Sequence, residues 1–256
     1  RTIEPTGGNV GKMRLLIFIA VAIFGMVFSA GASPTTEELF RRGTETYRAG
    51  DFAASAKWFG ECVARTPGSG AWQNLGLAEW QSGRVGEAIL AWERAVWLDP
   101  ANRAARVNLQ FARKIAQLET PTIAWYEIPS NWLSVNVWAW LGGISLWMAV
   151  GLMTVPGFLR RPKATWPQAL AATALAAFLL SLPAQIGAHT RTRIGFVVGP
   201  GAALRLAPTR DAETVTHLAP GEAARVERVR GNYLFVRTTR SAGWLERGQF
   251  EQVCPR

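Results

Sequence analysis

Few residues in this 256-residue chain are of the types and spacings that support chemistry. His189 closes an apolar segment and His217 sits in an alternating stretch. Neither neighbours a cysteine, so no nucleophile–base pair is signalled. Cys62 and Cys254 fall in different segments and form no CxxC pair, which argues against a metal site or a disulfide framework. Both read as structural. Aspartate occurs only at 51, 99 and 211, and Asp51 and Asp99 occupy turn positions of a repeat. Glu119 and Glu127 could approach each other as the paired carboxylates that acid–base catalysis needs, but the expected reading is solvated charge. No HExxH, GxSxG, Walker or dinucleotide-binding motif is present. The chain is expected not to be an enzyme, and to hold neither cofactor nor metal.

Charge excludes a further class. The formal net charge of +10 comes mostly from arginine, since lysine occurs only at 12, 57, 114 and 163. The arginines are scattered, without the dense basic run or stripe of a nucleic-acid-binding surface, so no nucleic-acid partner is expected.

The organising elements are two long apolar segments, 137–159 and 169–188, neither with a charged residue. The first would rise roughly 34 Å as a helix, against a hydrocarbon core of about 30 Å. The second is built of Ala and Leu, small enough overall for close helix approach. Together they predict a two-helix transmembrane hairpin, with Trp132, Trp138, Trp140 and Trp166 as interfacial anchors. The alternative is a buried helix pair of a soluble protein. The turn between them, 160–168, carries Arg160, Arg161 and Lys163, which by the positive-inside rule belongs in the cytoplasm. Both flanking parts then lie outside, although Arg191 and Arg193 follow the second segment on that side.

An N-terminal segment, 13–32, agrees with this topology. Met13-Arg14 leads into the apolar run 15–28, followed by Ala30 and Ala32 in an A-x-A cleavage pattern, which predicts a secretory signal. An uncleaved anchor helix is the alternative. No cysteine ends the run, so a lipoprotein anchor is not expected.

From 34 to 117 the pattern is helical and repeats. An offset of 33 superimposes Gly43 on Gly76, Tyr47 on Trp80, Gly50 on Gly83, Phe59 on Trp92, Cys62 on Ala95 and Pro67 on Pro100. Small residues permit close helix crossing, aromatics fill the groove, and proline stops the second helix. This is a tetratricopeptide-like all-α array, with 103–117 as its capping helix. Arrays of this kind resemble one another as protein-binding scaffolds. The corresponding concave face would carry Glu37, Phe40, Thr44, Tyr47, Gln73, Leu77 and Trp80. The alternative is that these aromatics are covered by the chain itself. Residues 118–136, with two prolines and three large aromatics, are expected to form a stiff juxtamembrane connector at the lipid surface.

The last segment, 195–253, switches to period-two alternation with strands expected around 203–205, 214–218, 224–229, 233–237 and 243–245. That spacing predicts a small all-β barrel. Its landmarks, Leu204-Arg205 with Pro208, Leu218 with Gly221, Gly231-Asn232-Tyr233 and Gly243-Trp244-Leu245, resemble bacterial SH3 domains. Trp244 is expected to pack in the barrel with Tyr233 half-exposed beside it.

The order of signal, repeat array ending in 107–114 (VNLQFARK), aromatic connector, membrane hairpin and SH3-like barrel resembles the BatE-like proteins, the tetratricopeptide members of the Bat (aerotolerance operon) family. The resemblance implies a non-catalytic scaffold at the bacterial inner membrane, facing the periplasm. It implies protein partners, namely von Willebrand factor A domain Bat proteins and a MoxR-type ATPase. A second expectation, of a different kind, is a cell-wall module whose SH3-like domain binds peptidoglycan.

Overall fold

The computed structural model describes residues 34–158 and 165–254. The segment 13–32 with Ala30 and Ala32, and Arg160, Arg161 and Lys163 of the basic turn, lie outside the described residues.

Helices α1 (Thr36–Arg48), α2 (Phe52–Arg65), α3 (Ser69–Gln81), α4 (Val85–Leu98) and α5 (Arg103–Ile115) follow one another with short connections. Local chemistry explains their ends. The Thr35, Asp51 and Asn102 side chains accept from the backbone N–H groups of Glu38, Ala54 and Ala105, which caps α1, α2 and α5. Gly50 and Gly83 end α1 and α3 with φ of 83° and 79°, a conformation that favours glycine. Inside the pairs, two glycines set the crossing distance. A Cβ on Gly43 would lie 2.9 Å from the Phe59 ring, and one on Gly76 would lie 2.5 Å from the Trp92 indole. Asp51 is thus a helix cap and Asp99 bonds the N–H of Ala101, both local structural roles. Cys62 is buried, and its thiol is pushed up by that burial.

The connector does more than span. It forms a 3-10 turn (Trp125–Asn131) before α6 (Val135–Phe158) and α7 (Thr165–Arg191). Both helices are long and apolar enough to cross a membrane, with mean hydropathies of 1.5 and 1.8 over their candidate spans. They pack on each other, with Gly142 against Ser181 and Gln185. Elsewhere they leave large apolar side chains such as Trp147, Met153 and Leu180 exposed, which a helix pair in a soluble core would not do. Trp132, Trp140 and Trp166 are exposed near the helix ends. The Trp138 indole N–H is buried without a partner. Helix α7 extends beyond the expected 169–188 at both ends.

The C-terminal part is a seven-stranded antiparallel sheet: β1 (Ile194–Val197), β2 (Ala202–Arg205), β3 (Thr214–Leu218), β4 (Ala223–Arg230), β5 (Tyr233–Arg237), β6 (Ala242–Glu246) and β7 (Phe250–Gln252). Its order is β3-β2-β6-β5-β4-β1-β7, an open ladder ending on β3 and β7. Five of these strands match the alternating stretches; β1 and β7 do not. The reason lies in burial. All four residues of β1 are buried, so it lacks the alternation of a half-exposed strand. Val197 joins the interior of the sheet, while Ile194 and Phe196 join a cluster with Ile89, Trp92, Ala105 and Leu109 of α4 and α5. The helices and the sheet therefore share a hydrophobic core. Arg94 of α4 reinforces it by donating to the carbonyls of Gln252 (2.9 Å) and Val253 (3.3 Å) and pairing with Glu251.

Candidate partner-binding surface

The geometry of the helix pairs leaves α1, α3 and α5 as successive first helices, and the residues expected on their common face divide into two kinds. Phe40 is 37% exposed and meets the Phe59 ring edge-on at 5.4 Å. Tyr47 is half-buried against Phe52, with centroids 5.2 Å apart. Gln73 is half-buried, and its backbone carbonyl accepts the Trp92 indole N–H at 3.1 Å. Leu77 and Trp80 pack onto the shared core. Trp80 lies between Trp92 and Phe111, 6.0 Å from each. The chain itself thus covers much of Tyr47, Leu77 and Trp80.

What the sequence reading did not assign is the contribution of α5. This helix buries Ala105, Leu109 and Ala112, yet Val107, Phe111 and Ile115 are 53%, 55% and 61% exposed. Spaced by four residues, they form a second apolar row on a helix that was expected only to cap the array. Counted from the helix starts at Ser69 and Arg103, Val107 and Phe111 stand at the α5 positions equivalent to Gln73 and Leu77 of α3, and the Trp80–Phe111 contact joins the two helices across that face. The row was legible as an i, i+4, i+8 apolar series beside the core series. The expectation of a plain cap follows from the rule that a terminal helix of an array normally turns a polar side outward.

Charges border this face. On α1, Arg42 and Arg41 bond the Glu38 carboxylate and hold it below the usual range. Helix α5 carries Arg103, Arg106, Arg113 and Lys114 and no acidic residue. Arg113 pairs with Glu93, which leaves a basic margin on α5.

A second aromatic patch lies on the sheet, and it corrects one expectation. Trp244 alternates with the buried Gly243 and Leu245, so it does not pack in the sheet interior. It lies half-buried on the other face, 5.3 Å from Phe235. Strand register aligns Arg205, Trp244, Phe235 and Arg228 across β2, β6, β5 and β4, with Tyr233 half-buried next to Phe235 on the same face of β5. Phe235 is the member of this row that the landmarks of the sequence missed.

The two carboxylates considered for catalysis are engaged by different partners, and neither is free. Glu119 is bonded by Thr239 and Arg240, which hold it below the usual carboxylate range. Glu127 has no exposed surface, against the expectation of a solvated charge. It accepts from both guanidinium nitrogens of Arg225 (2.8 and 2.9 Å), from the Thr190 hydroxyl (2.6 Å) and from the Ala124 N–H (2.8 Å). Burial alone would push the carboxyl up, but these bonds together hold it below its ordinary value. Arg191 bonds the Ser130 hydroxyl and lies over the Trp97 ring. The positive charges at and just beyond the end of α7 therefore include one used for packing, so Arg191 says little about topology. His189 and His217 are both exposed.

No protein-family model and no curated protein matches the chain.

Proposed function

We propose that this protein is a non-catalytic, membrane-anchored scaffold of the BatE-like kind. In this reading α1–α5 are a short tetratricopeptide array, the sheet is an SH3-like domain, and α6–α7 are a hairpin in the bacterial inner membrane. The positive-inside rule applied to Arg160, Arg161 and Lys163 puts both soluble parts on the periplasmic side. The proposed partners are von Willebrand factor A domain Bat proteins and a MoxR-type ATPase in envelope stress tolerance.

The observation that carries the scaffold reading is the exposed row Val107, Phe111 and Ile115, continuous through Trp80 with the face of α3. Apolar side chains grouped in this way and bordered by charge mark a protein contact. The test is affinity capture of the full chain from gently solubilised membranes, with the triple variant Val107→Ser, Phe111→Ser, Ile115→Ser beside it. Because the three side chains are exposed, the variant is expected to keep its thermal stability and lose capture of the von Willebrand factor A domain partner. Capture unchanged by the variant would reject this face.

A second reading has its own observation. The half-buried Tyr233, Phe235 and Trp244, flanked by Arg205 and Arg228, offer flat apolar rings beside positive charge, which suits a glycan strand carrying carboxylates. Sedimentation of the full chain with purified sacculi, lost on Trp244→Ala and Phe235→Ala, would support a peptidoglycan-binding module.

A further inference from the structure

We propose that a cleft beside the end of α7 binds the phosphate group of an anionic phospholipid. The cleft has a volume of about 610 Å³ and lies between β4, β7, the turn at Arg247 and Arg94 of α4. Val226, Leu234 and Phe250 give it apolar walls, and Arg193, Arg228 and Arg247 stand at its edge. Glu227 and Glu251 also reach it, but each is taken by another guanidinium: Arg237 at 2.6 Å from Glu227 and Arg94 at 2.9 Å from Glu251. Among the described residues, no side-chain hydrogen bond or ion pair takes Arg193, Arg228 or Arg247. The cleft thus carries four arginines against two glutamates, and both glutamates are already ion-paired to Arg94 and Arg237. An oxyanion fits the planar donor geometry of the unpaired Arg193, Arg228 and Arg247 guanidinium groups.

The position in the chain indicates the source of that anion. Helix α7 has 27 residues. Its length of roughly 40 Å exceeds the ~30 Å hydrocarbon core by about 10 Å. Ser181, Ala184, Gly187 and Ala188 are its buried residues toward the sheet, and a Cβ on Gly187 would lie 2.6 Å from the Tyr126 carbonyl. The excess length is therefore at the sheet end, covered by the connector. Arg193, two residues past α7, lies on the headgroup side of the hydrocarbon boundary. Strand β4 contributes from the same side. Its register with β1 puts Arg225 opposite Ile194, and the Val226 N–H donates to the Arg193 carbonyl at 2.8 Å. The strand then continues past β1 through Arg228, the 62% exposed Val229 and Arg230. An exposed valine between two arginines suits the boundary between headgroup and acyl chain.

The lipid source rests on α7 crossing the bilayer, as in the preceding reading; the anion chemistry does not. The test reconstitutes the full chain into phosphatidylcholine nanodiscs with and without phosphatidylglycerol and counts retained lipid by native mass spectrometry. Phosphatidylglycerol is expected to be retained over phosphatidylcholine, about fivefold less for each replacement among Arg193→Gln, Arg228→Gln and Arg247→Gln. The control pair Arg103→Gln, Arg106→Gln should leave retention unchanged. Equal retention by wild type and the triple variant, with thermal unfolding unaltered, would overturn the proposal. Inorganic phosphate is titrated in a parallel arm. If it binds through the same three arginines while phosphatidylglycerol is not preferred, the source is soluble phosphate and the lipid assignment falls. Failure of the chain to enter the discs, seen by flotation, rejects the membrane reading and the lipid assignment together. The phosphate arm then decides the anion site alone.

Discussion

A carboxylate with no exposed surface must have its charge balanced by its neighbours, and Glu127 has four bonds that do so. Its principal partner, the Arg225 side chain, is 30% exposed. Replacing Glu127 by Gln is therefore expected to cost about 2–3 kcal/mol, below the ~3–5 kcal/mol for breaking a wholly buried pair. The sign of the pH dependence follows from the depressed carboxyl. A group whose folded value lies below the unfolded value of about 4.3 contributes stability that is complete above that value. The contribution is lost as pH falls through the lower, folded value. Thermal unfolding of the wild type and of Glu127→Gln should thus differ most near neutrality and converge in acid. Parallel curves at all pH values would mean that the charge is not what the site stabilises.

At the scale of elements, the helix pairs depend on where glycine is required and where it is not. A Cβ on Gly76 meets the Trp92 ring, which is itself buried and bonded to the Gln73 carbonyl, so the ring has no room to retreat. Gly76→Ala is expected to destabilise by about 1–3 kcal/mol, even after the gain in helix propensity. Gly60 in α2 has nothing within 4 Å of its hypothetical Cβ. Gly60→Ala should therefore stabilise by about 0.5–1 kcal/mol, because the unfolded chain loses freedom. Denaturant unfolding of the two variants checks the contrast; a gain at Gly76 would show that the pair can separate without loss. The repeat of 33 residues made these positions readable in advance, since a small residue facing an aromatic at both equivalent places is a packing signature. The outward row of α5 was less legible, because amphipathicity shows that an apolar residue is present but not which neighbour covers it.

Over the whole molecule, the shared core makes the helices and the sheet depend on each other. Phe196 is wholly buried in the cluster that contains Ile89, Trp92 and Leu109. Phe196→Ala is expected to cost about 3–5 kcal/mol. The loss should appear in both parts, as faster hydrogen exchange in α4 as well as in β4. Loss of protection in β4 alone would show that the sheet is held independently. If the coupling holds, a partner bound on the α5 face and a ligand bound on the sheet act on one body fixed to the end of α7.

The amino-acid sequence by itself determined the elements whose signal is local. The 33-residue recurrence marks helix pairs, uncharged apolar length marks α6 and α7, and alternation marks the five half-exposed strands of the sheet. Tertiary structure alone decided the rest. Strand β1 is buried on both faces, so it carries no alternation to read. Glu127 meets Arg225, and Arg191 meets Trp97, across long stretches of chain. The physical reason is the same in each case. Periodicity records which side of an element avoids water, whereas the identity of the group that covers it depends on contacts between segments that no local pattern specifies.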